Sequence, residues 1–179
     1  EESVPRTGNA EQGWKWLTTR PYLPADFDDE VFADLWTVWS SQARKVAVKL
    51  SEEDRRAMIF KRYGLTPHPK TGTKELPLGY LRNKNGGWVM NCLACHAGEV
   101  AGQVIPGLGN SRFALQSLTE DVRKVKLKQF KSPSHMDVAS MKMPLGTTHG
   151  TTNAVVFGVI LGGLRDLDMN VRRPAKKPL

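Results

Sequence analysis

The sequence predicts a mainly α-helical fold with long loops, and three observations carry that expectation. Apolar residues recur at helical spacing, with Val31, Leu35 and Val38 at i, i+4 and i+7 and with Leu115, Leu118, Val122 and Val125 in a second run. No segment shows the convincing apolar–polar alternation of a half-buried strand. Glycine and proline are plentiful, 16 and 11 in 179 residues, and they gather between the periodic segments, where turns belong.

The elements follow in chain order. Residues 1–13 are polar and expected to be irregular, and Pro21 to Pro24 form an irregular entry to the first helix. Asp26 is the expected cap, with Asp28, Asp29 and Glu30 in the first turn, where carboxylates suit the positive end of the helix dipole. Phe32, Trp36 and Trp39 widen the apolar face of that helix. Ser51-Glu52-Glu53-Asp54 reads as a second start, a capping box with Asp in place of Glu, and Gly64 as the residue that ends that helix. Residues 64–90 form a long structured loop with a turn at Asn85-Gly86-Gly87. After the glycine-punctuated stretch from Gly98 to Gly109, Asn110 or Ser111 caps a helix carrying Phe113 and the second apolar run. Residues 131–152 read as loop, Asn153 as the start of a last short helix, and the end from Arg172 as a solvated basic tail.

Bulk properties bound the partners. A hydrophobic share of 40% is enough for a packed core. The formal charge of +8 favours acidic partners. No aromatic-interleaved basic motif or zinc-finger spacing accompanies it, so no nucleic-acid partner is expected. The most apolar run, Ala154 to Leu164, is broken by Gly158, Gly162 and Gly163 and falls short of the ~20 residues of a membrane span. Glu1-Glu2-Ser3-Val4 is unlike a signal peptide, and a mature chain whose signal has been removed is expected.

One motif carries chemistry. Cys92-Leu93-Ala94-Cys95-His96 has the C-x-x-C-H spacing of covalent haem attachment. Two thiols three residues apart, on a chain entering a helix, lie on one side and can each add to a haem vinyl group. The following imidazole then projects beneath the porphyrin and ligates the iron. A redox C-x-x-C needs a thioredoxin-like βαβ context, and a zinc site needs further ligands in a chain with only two cysteines. A disulfide across this spacing leaves His96 without a role. The expected cofactor is therefore one covalent haem c, held by Cys92 and Cys95, with His96 on the iron.

The second axial position decides what such a haem does. Met143, in Lys142-Met143-Pro144, resembles the ligand loop of small class I cytochromes c, and His149, His135 and an open site are the alternatives. His68, between Pro67 and Pro69, is an ordinary loop histidine. Trp14, Trp16, Trp36, Trp39 and Trp88 are expected in the core and around the haem, with Trp88 nearest because it precedes the motif so closely. Arg112 is either a partner for a haem propionate or a solvated arginine at a helix start.

A longer stretch, Gly79-Tyr80-Leu81 through Asn91 and the motif to Val100, then Gly107-Leu108-Gly109-Asn110-Ser111, resembles the N-terminal haem region of a bacterial family. That family includes di-haem cytochrome c peroxidases and the related haem rubber oxygenases. The resemblance covers about a third of the chain. It implies a helical, loop-rich, exported protein, and it carries Cys92, Cys95 and His96 across as haem residues. The chain departs from the family in having a single C-x-x-C-H, so no catalytic residue is carried over and the division of labour between two haems is not assumed.

The expected architecture is a cytochrome c-like helical haem domain over residues 71–170, with an N-terminal helical extension over 1–70 packed on it and a basic tail over 171–179. The expected function is transfer of single electrons to or from a redox partner protein with an acidic docking surface. The alternative is a haem enzyme or haem subunit, a peroxidase or oxygenase, using an open iron site. Haem attachment takes place outside the bacterial inner membrane, so a periplasmic or otherwise exported location follows. Membership of a larger redox complex, with the tail as the start of a linker, is left open.

Overall fold

The computed structural model of the chain describes residues 9–142, with side chains to residue 138. Met143, His149, the expected helix from Asn153 and the basic tail lie outside the described residues. No helix among the described residues is long and apolar enough to cross a membrane.

The polar opening turns helical earlier than expected. α1 (Ala10–Thr19) starts at Asn9, whose side chain accepts the Gln12 N–H at 3.0 Å. It carries Trp14 and Trp16, which are 40% and 49% exposed and so are not the core residues expected. α2 (Asp29–Ala33) is capped by Asp28, which accepts the Val31 N–H, and not by Asp26. The expected continuous helix stops there. A separate 3-10 turn, Leu35–Val38, follows and turns both Leu35 and Trp39 inward. α3 (Ser41–Ala47) is capped by Ser40. α4 (Glu52–Tyr63) has the expected box: the Ser51 hydroxyl accepts the Asp54 N–H and donates to the Asp54 carboxylate at 2.6 Å. It ends at Gly64, whose φ of 62° is the left-handed conformation a glycine adopts without strain.

The fold is mixed α/β, not mainly α. β1 (Tyr80–Arg82) pairs antiparallel with β2 (Trp88–Met90) across the Asn85-Gly86 turn. Beyond the one-turn helix α5 (Leu93–His96), β3 (Ala97–Val100) pairs antiparallel with β4 (Gln103–Pro106). Strands of three and four residues are too short to show a period of two. β2 is buried at every position, which removes the alternation altogether. The second hairpin is mostly exposed, so the apolar pattern does not mark it either.

α6 (Leu115–Lys128) buries Leu115, Leu118, Val122 and Val125 as expected, yet it starts at Ala114 without a side-chain cap. α7 (His135–Lys142) occupies part of the segment expected as loop. Ser134 and Asp137 at its start exchange hydrogen bonds as Ser51 and Asp54 do: the Asp137 carboxylate accepts the Ser134 N–H at 2.6 Å and the Ser134 hydroxyl accepts the Asp137 N–H.

Trp88 is the centre of the core and is fully buried. Its ring stacks on Phe32 at 4.5 Å and lies 5.3 Å from Phe27 and 5.8 Å from Tyr80. Its indole N–H donates to Asp29 at 3.0 Å. Its main chain bridges to the chain before α2, the Trp88 N–H donating to the Phe27 carbonyl and the Asp26 N–H to the Trp88 carbonyl. Residues from before and after position 70 thus share one core, which also includes Tyr63, Phe113, Val125 and Met136. Across it, Trp39 donates to the Tyr63 hydroxyl and Tyr63 donates to Asp121, both at 2.7 Å.

Truncation of Trp88 to Ala empties the middle of this cluster and is expected to cost about 3–5 kcal/mol, read from the shift of the urea unfolding curve. Trp88→Phe keeps a ring but loses the bond to Asp29, and about 1 kcal/mol of loss is expected. Equal stability of the two variants would contradict the packing role of the indole.

Candidate functional site

The Cys92–His96 motif is delivered by β2. Asn91 follows directly, and its main-chain N–H donates to the Gly79 carbonyl at 2.8 Å. Its side-chain oxygen accepts the Leu93 N–H at 2.8 Å and starts the turn that becomes α5. Cys92 already has helical φ and ψ, −60° and −25°. Residues 92, 95 and 96 therefore share one side of the turn, while Leu93 and Ala94 face inward. Leu93 packs with Leu78 and Ala97 behind the motif. The helix sits so close to the approach to β1 that a Cβ at Gly79 would lie 2.4 Å from the Ala94 Cα, which reserves that position for glycine.

A helix of one turn has no later turn to satisfy its carbonyls, and the surrounding chain does so here. The Ala94 carbonyl receives the Asn110 side-chain amide at 3.3 Å, and the Cys95 carbonyl receives the Asn110 main-chain N–H at 2.8 Å. The His96 carbonyl receives the Gly107 N–H at 2.7 Å, and the Ala97 carbonyl receives the Thr66 hydroxyl at 2.9 Å. Four consecutive carbonyls are engaged from behind.

The opposite side is open. Cys92 is exposed, Cys95 is half-buried and both thiols are free. The His96 ring side is exposed. Burial, and secondly the neighbouring Cys92, pushes the Cys95 thiol up to about 11. It is thus a protonated thiol near neutrality, unlike the acidic thiolates of redox C-x-x-C sites. Tyr80, buried beside it, is raised well above its usual value by burial, by Asp26 and by Cys95. Among the described residues, no group of three His, Cys, Asp or Glu side chains is placed to hold a bare metal ion.

The other expected site residues are distributed differently. Trp88 belongs to the aromatic core, with Tyr80 packed against it and Tyr80 in turn beside Cys95. Arg112 forms an ion pair with Glu99 of β3 and is largely exposed. This clamps the hairpin after the motif to the chain entering α6. His68 accepts the Lys70 N–H through Nδ1 within its own loop. Met143 and His149 lie outside the described residues.

His135 sits in a buried charge cluster. Lys126 bonds Asp137 at 2.6 Å and lies 3.7 Å from Asp26, and the Ser134 hydroxyl donates to Asp26. Neither ring nitrogen of His135 has a hydrogen-bond partner among the described residues. Sequence reasoning missed this cluster, and it missed Asn91, Thr66 and Tyr80 as supports of the motif. The Ser134-x-x-Asp137 spacing was a usable signal for the start of α7. Nothing in the local pattern marks Lys126 as buried. Comparisons with family models, with curated proteins and with solved structures find no match.

Burial first, then Lys126, lowers the His135 pKa below its ordinary 6.5, against the opposing pull of Asp26 and Asp137. The unfolded chain therefore takes up this proton at higher pH than the folded one does. The stability contributed by neutral His135 is complete above the ordinary value of about pH 6.5 and is lost as the pH falls from there through the lower folded-state value. Urea midpoints measured at about pH 7.5 and about pH 5.5 are expected to fall for the natural chain and to fall less for His135→Leu. Parallel declines in the two proteins would contradict this role.

Proposed function

We propose that the chain is a mono-haem c-type cytochrome that carries single electrons between redox partners, with haem c bound through Cys92 and Cys95 and His96 as the proximal iron ligand. One observation supports this above the rest. Cys92 and His96 are exposed on a single turn with Cys95 half-buried between them, and the carbonyls of Ala94, Cys95, His96 and Ala97 are all engaged by other parts of the chain. The bound group supplies the one-electron ferric–ferrous couple. The chain's own residues fix it and set its surroundings. Asn91 and Asn110 hold the turn, and the aromatic core behind Tyr80 keeps water from that side.

Met143 is the proposed sixth ligand. It follows Lys142, the last residue of α7, and α7 is anchored by buried Met136 and by the Lys126–Asp137 pair. A thioether in this position favours electron transfer over catalysis, because it closes the iron to small molecules and raises its potential. The net charge of +8 suits a weak, salt-sensitive encounter with an acidic redox partner. The location proposed is periplasmic or otherwise exported, since the haem is attached there. A second reading, a peroxidase- or oxygenase-type enzyme with an open iron site, draws on the length of chain packed ahead of the motif: residues 27–65 supply half of the buried residues of the main core cluster.

Optical spectra of the ferric and the dithionite-reduced protein, the latter with and without carbon monoxide, separate the two. A low-spin spectrum with the weak far-red band of a methionine–iron bond, unchanged by carbon monoxide, is expected. Met143→Ala is then expected to remove that band, admit carbon monoxide and lower the potential. A high-spin ferric form that binds carbon monoxide in the natural protein would overturn the carrier and leave the open-site enzyme.

A further inference from the structure

Asn110 reads, in sequence, as a helix cap. In the structure it caps nothing of α6, which begins at Ala114. It is instead 6% exposed and turned back onto the haem motif. Its side-chain amide donates to the Gly64 carbonyl at 2.9 Å and reaches the Thr66 hydroxyl and the Ala94 carbonyl, each at 3.3 Å. Its side-chain oxygen accepts the Arg112 N–H at 3.1 Å. Its own main-chain N–H donates to the Cys95 carbonyl at 2.8 Å. One residue therefore ties the end of α4, the chain after it and the last turn of the motif together.

We propose that Asn110 is the positioning residue for the iron ligand. The inference rests on the haem reading above and assigns the orienting of His96 to one residue, whose main chain holds Cys95 and whose side chain locks that main chain in place through Ala94, Thr66 and Gly64. The argument is geometric. The direction in which His96 leaves the backbone is set by the peptide planes before it and after it. The plane before it carries the Cys95 carbonyl, held by Asn110, and the plane after it carries the His96 carbonyl, held by Gly107 in the same loop. The Ala94 plane one residue earlier is held by the Asn110 amide, and the Ala97 plane by Thr66, which Asn110 also touches. His96 itself is exposed, so no packed side chains on its outer face replace this control. Residues that fix the orientation of a metal ligand without touching the metal tune the site.

The test uses the full chain, matured with haem in an exporting host, and two substitutions. Asn110→Ala removes every side-chain bond. Asn110→Asp keeps the acceptor for Arg112 and the main-chain donor to Cys95, but it cannot donate to Gly64, Thr66 or Ala94. Asn83→Ala is the control. Asn83 is also a structural asparagine, accepting the Asn85 and Gly87 N–H groups at 2.9 Å in the β1–β2 turn. The readouts are haem per chain, the ferric electron paramagnetic resonance spectrum and the midpoint potential.

Both Asn110 variants are expected to shift the ferric signal and the midpoint potential of the haem they carry. The Asp variant is expected to have the lower potential, because the added carboxylate favours ferric iron. Asn83→Ala loses stability without moving either readout. Should neither Asn110 variant accumulate, Thr66→Val decides, with a smaller shift of the same two readouts expected. Unchanged spectra and potentials in the haem-bearing variants, whatever their stability, would overturn the proposal and leave Asn110 a scaffold residue. A natural chain that carries no covalent haem defeats the proposal together with the reading it rests on, and that outcome is visible before any variant is made.

Discussion

The main-chain bridge at Trp88 is the constraint from which the rest of the molecule is built. A buried tryptophan at the start of a three-residue strand is hard to satisfy, because its ring needs a wide apolar bed and its peptide groups need partners. Phe27, Phe32 and Tyr80 provide the bed, and the chain at Asp26 and Phe27 takes both peptide groups. That arrangement places the start of α2 against β2. β2 then runs through Met90 into Asn91, so the position of Cys92 is fixed by a contact between segments some sixty residues apart in sequence. The indole bond to Asp29 adds a polar anchor, and Arg82 grips the same carboxylate and holds it below its usual range.

Beyond that anchor, the site obeys a satisfaction rule. A single helical turn exposes its carbonyls, and buried carbonyls without donors cost more than the turn's own hydrogen bonds return. The chain from Gly107 to Asn110, reinforced by Thr66, meets the need at Ala94, Cys95, His96 and Ala97. The face away from these donors keeps the reactive groups. There burial, and secondly Cys92, raises the pKa of the Cys95 thiol, which disfavours disulfide exchange through that sulfur, since exchange needs a thiolate.

How far the sequence foretold this depends on the range of the interactions involved. Local rules worked where one segment decides its own structure. Ser51 with Asp54, Gly64, the Asn85-Gly86 turn and the apolar face of α6 all stand where their spacing put them. They failed where distant groups compete. Asp26 has the composition of a cap, but Lys126 and Ser134 draw it into the interior, where burial raises its pKa, and Asp28 caps instead. Asn110 has the same profile and is drawn to the motif. The strands escaped because they are short and because their burial follows their tertiary neighbours, not an alternating pattern. The Cys92-x-x-Cys95-His96 spacing was read from the sequence alone, and the structure places Cys92, Cys95 and His96 on one turn.

The central claim is that Cys92 and Cys95 hold one haem covalently, and the intact mass of the chain tests it most directly. The protein is produced in a host that attaches haem outside its inner membrane, then denatured in acidified acetone to strip any haem that is not bonded. The account predicts that the colour stays with the chain, that its mass rises by a single haem, and that Cys92→Ala with Cys95→Ala returns it to the mass of the polypeptide. A natural chain with the unmodified polypeptide mass, its haem left in the acetone or never acquired, would contradict the account.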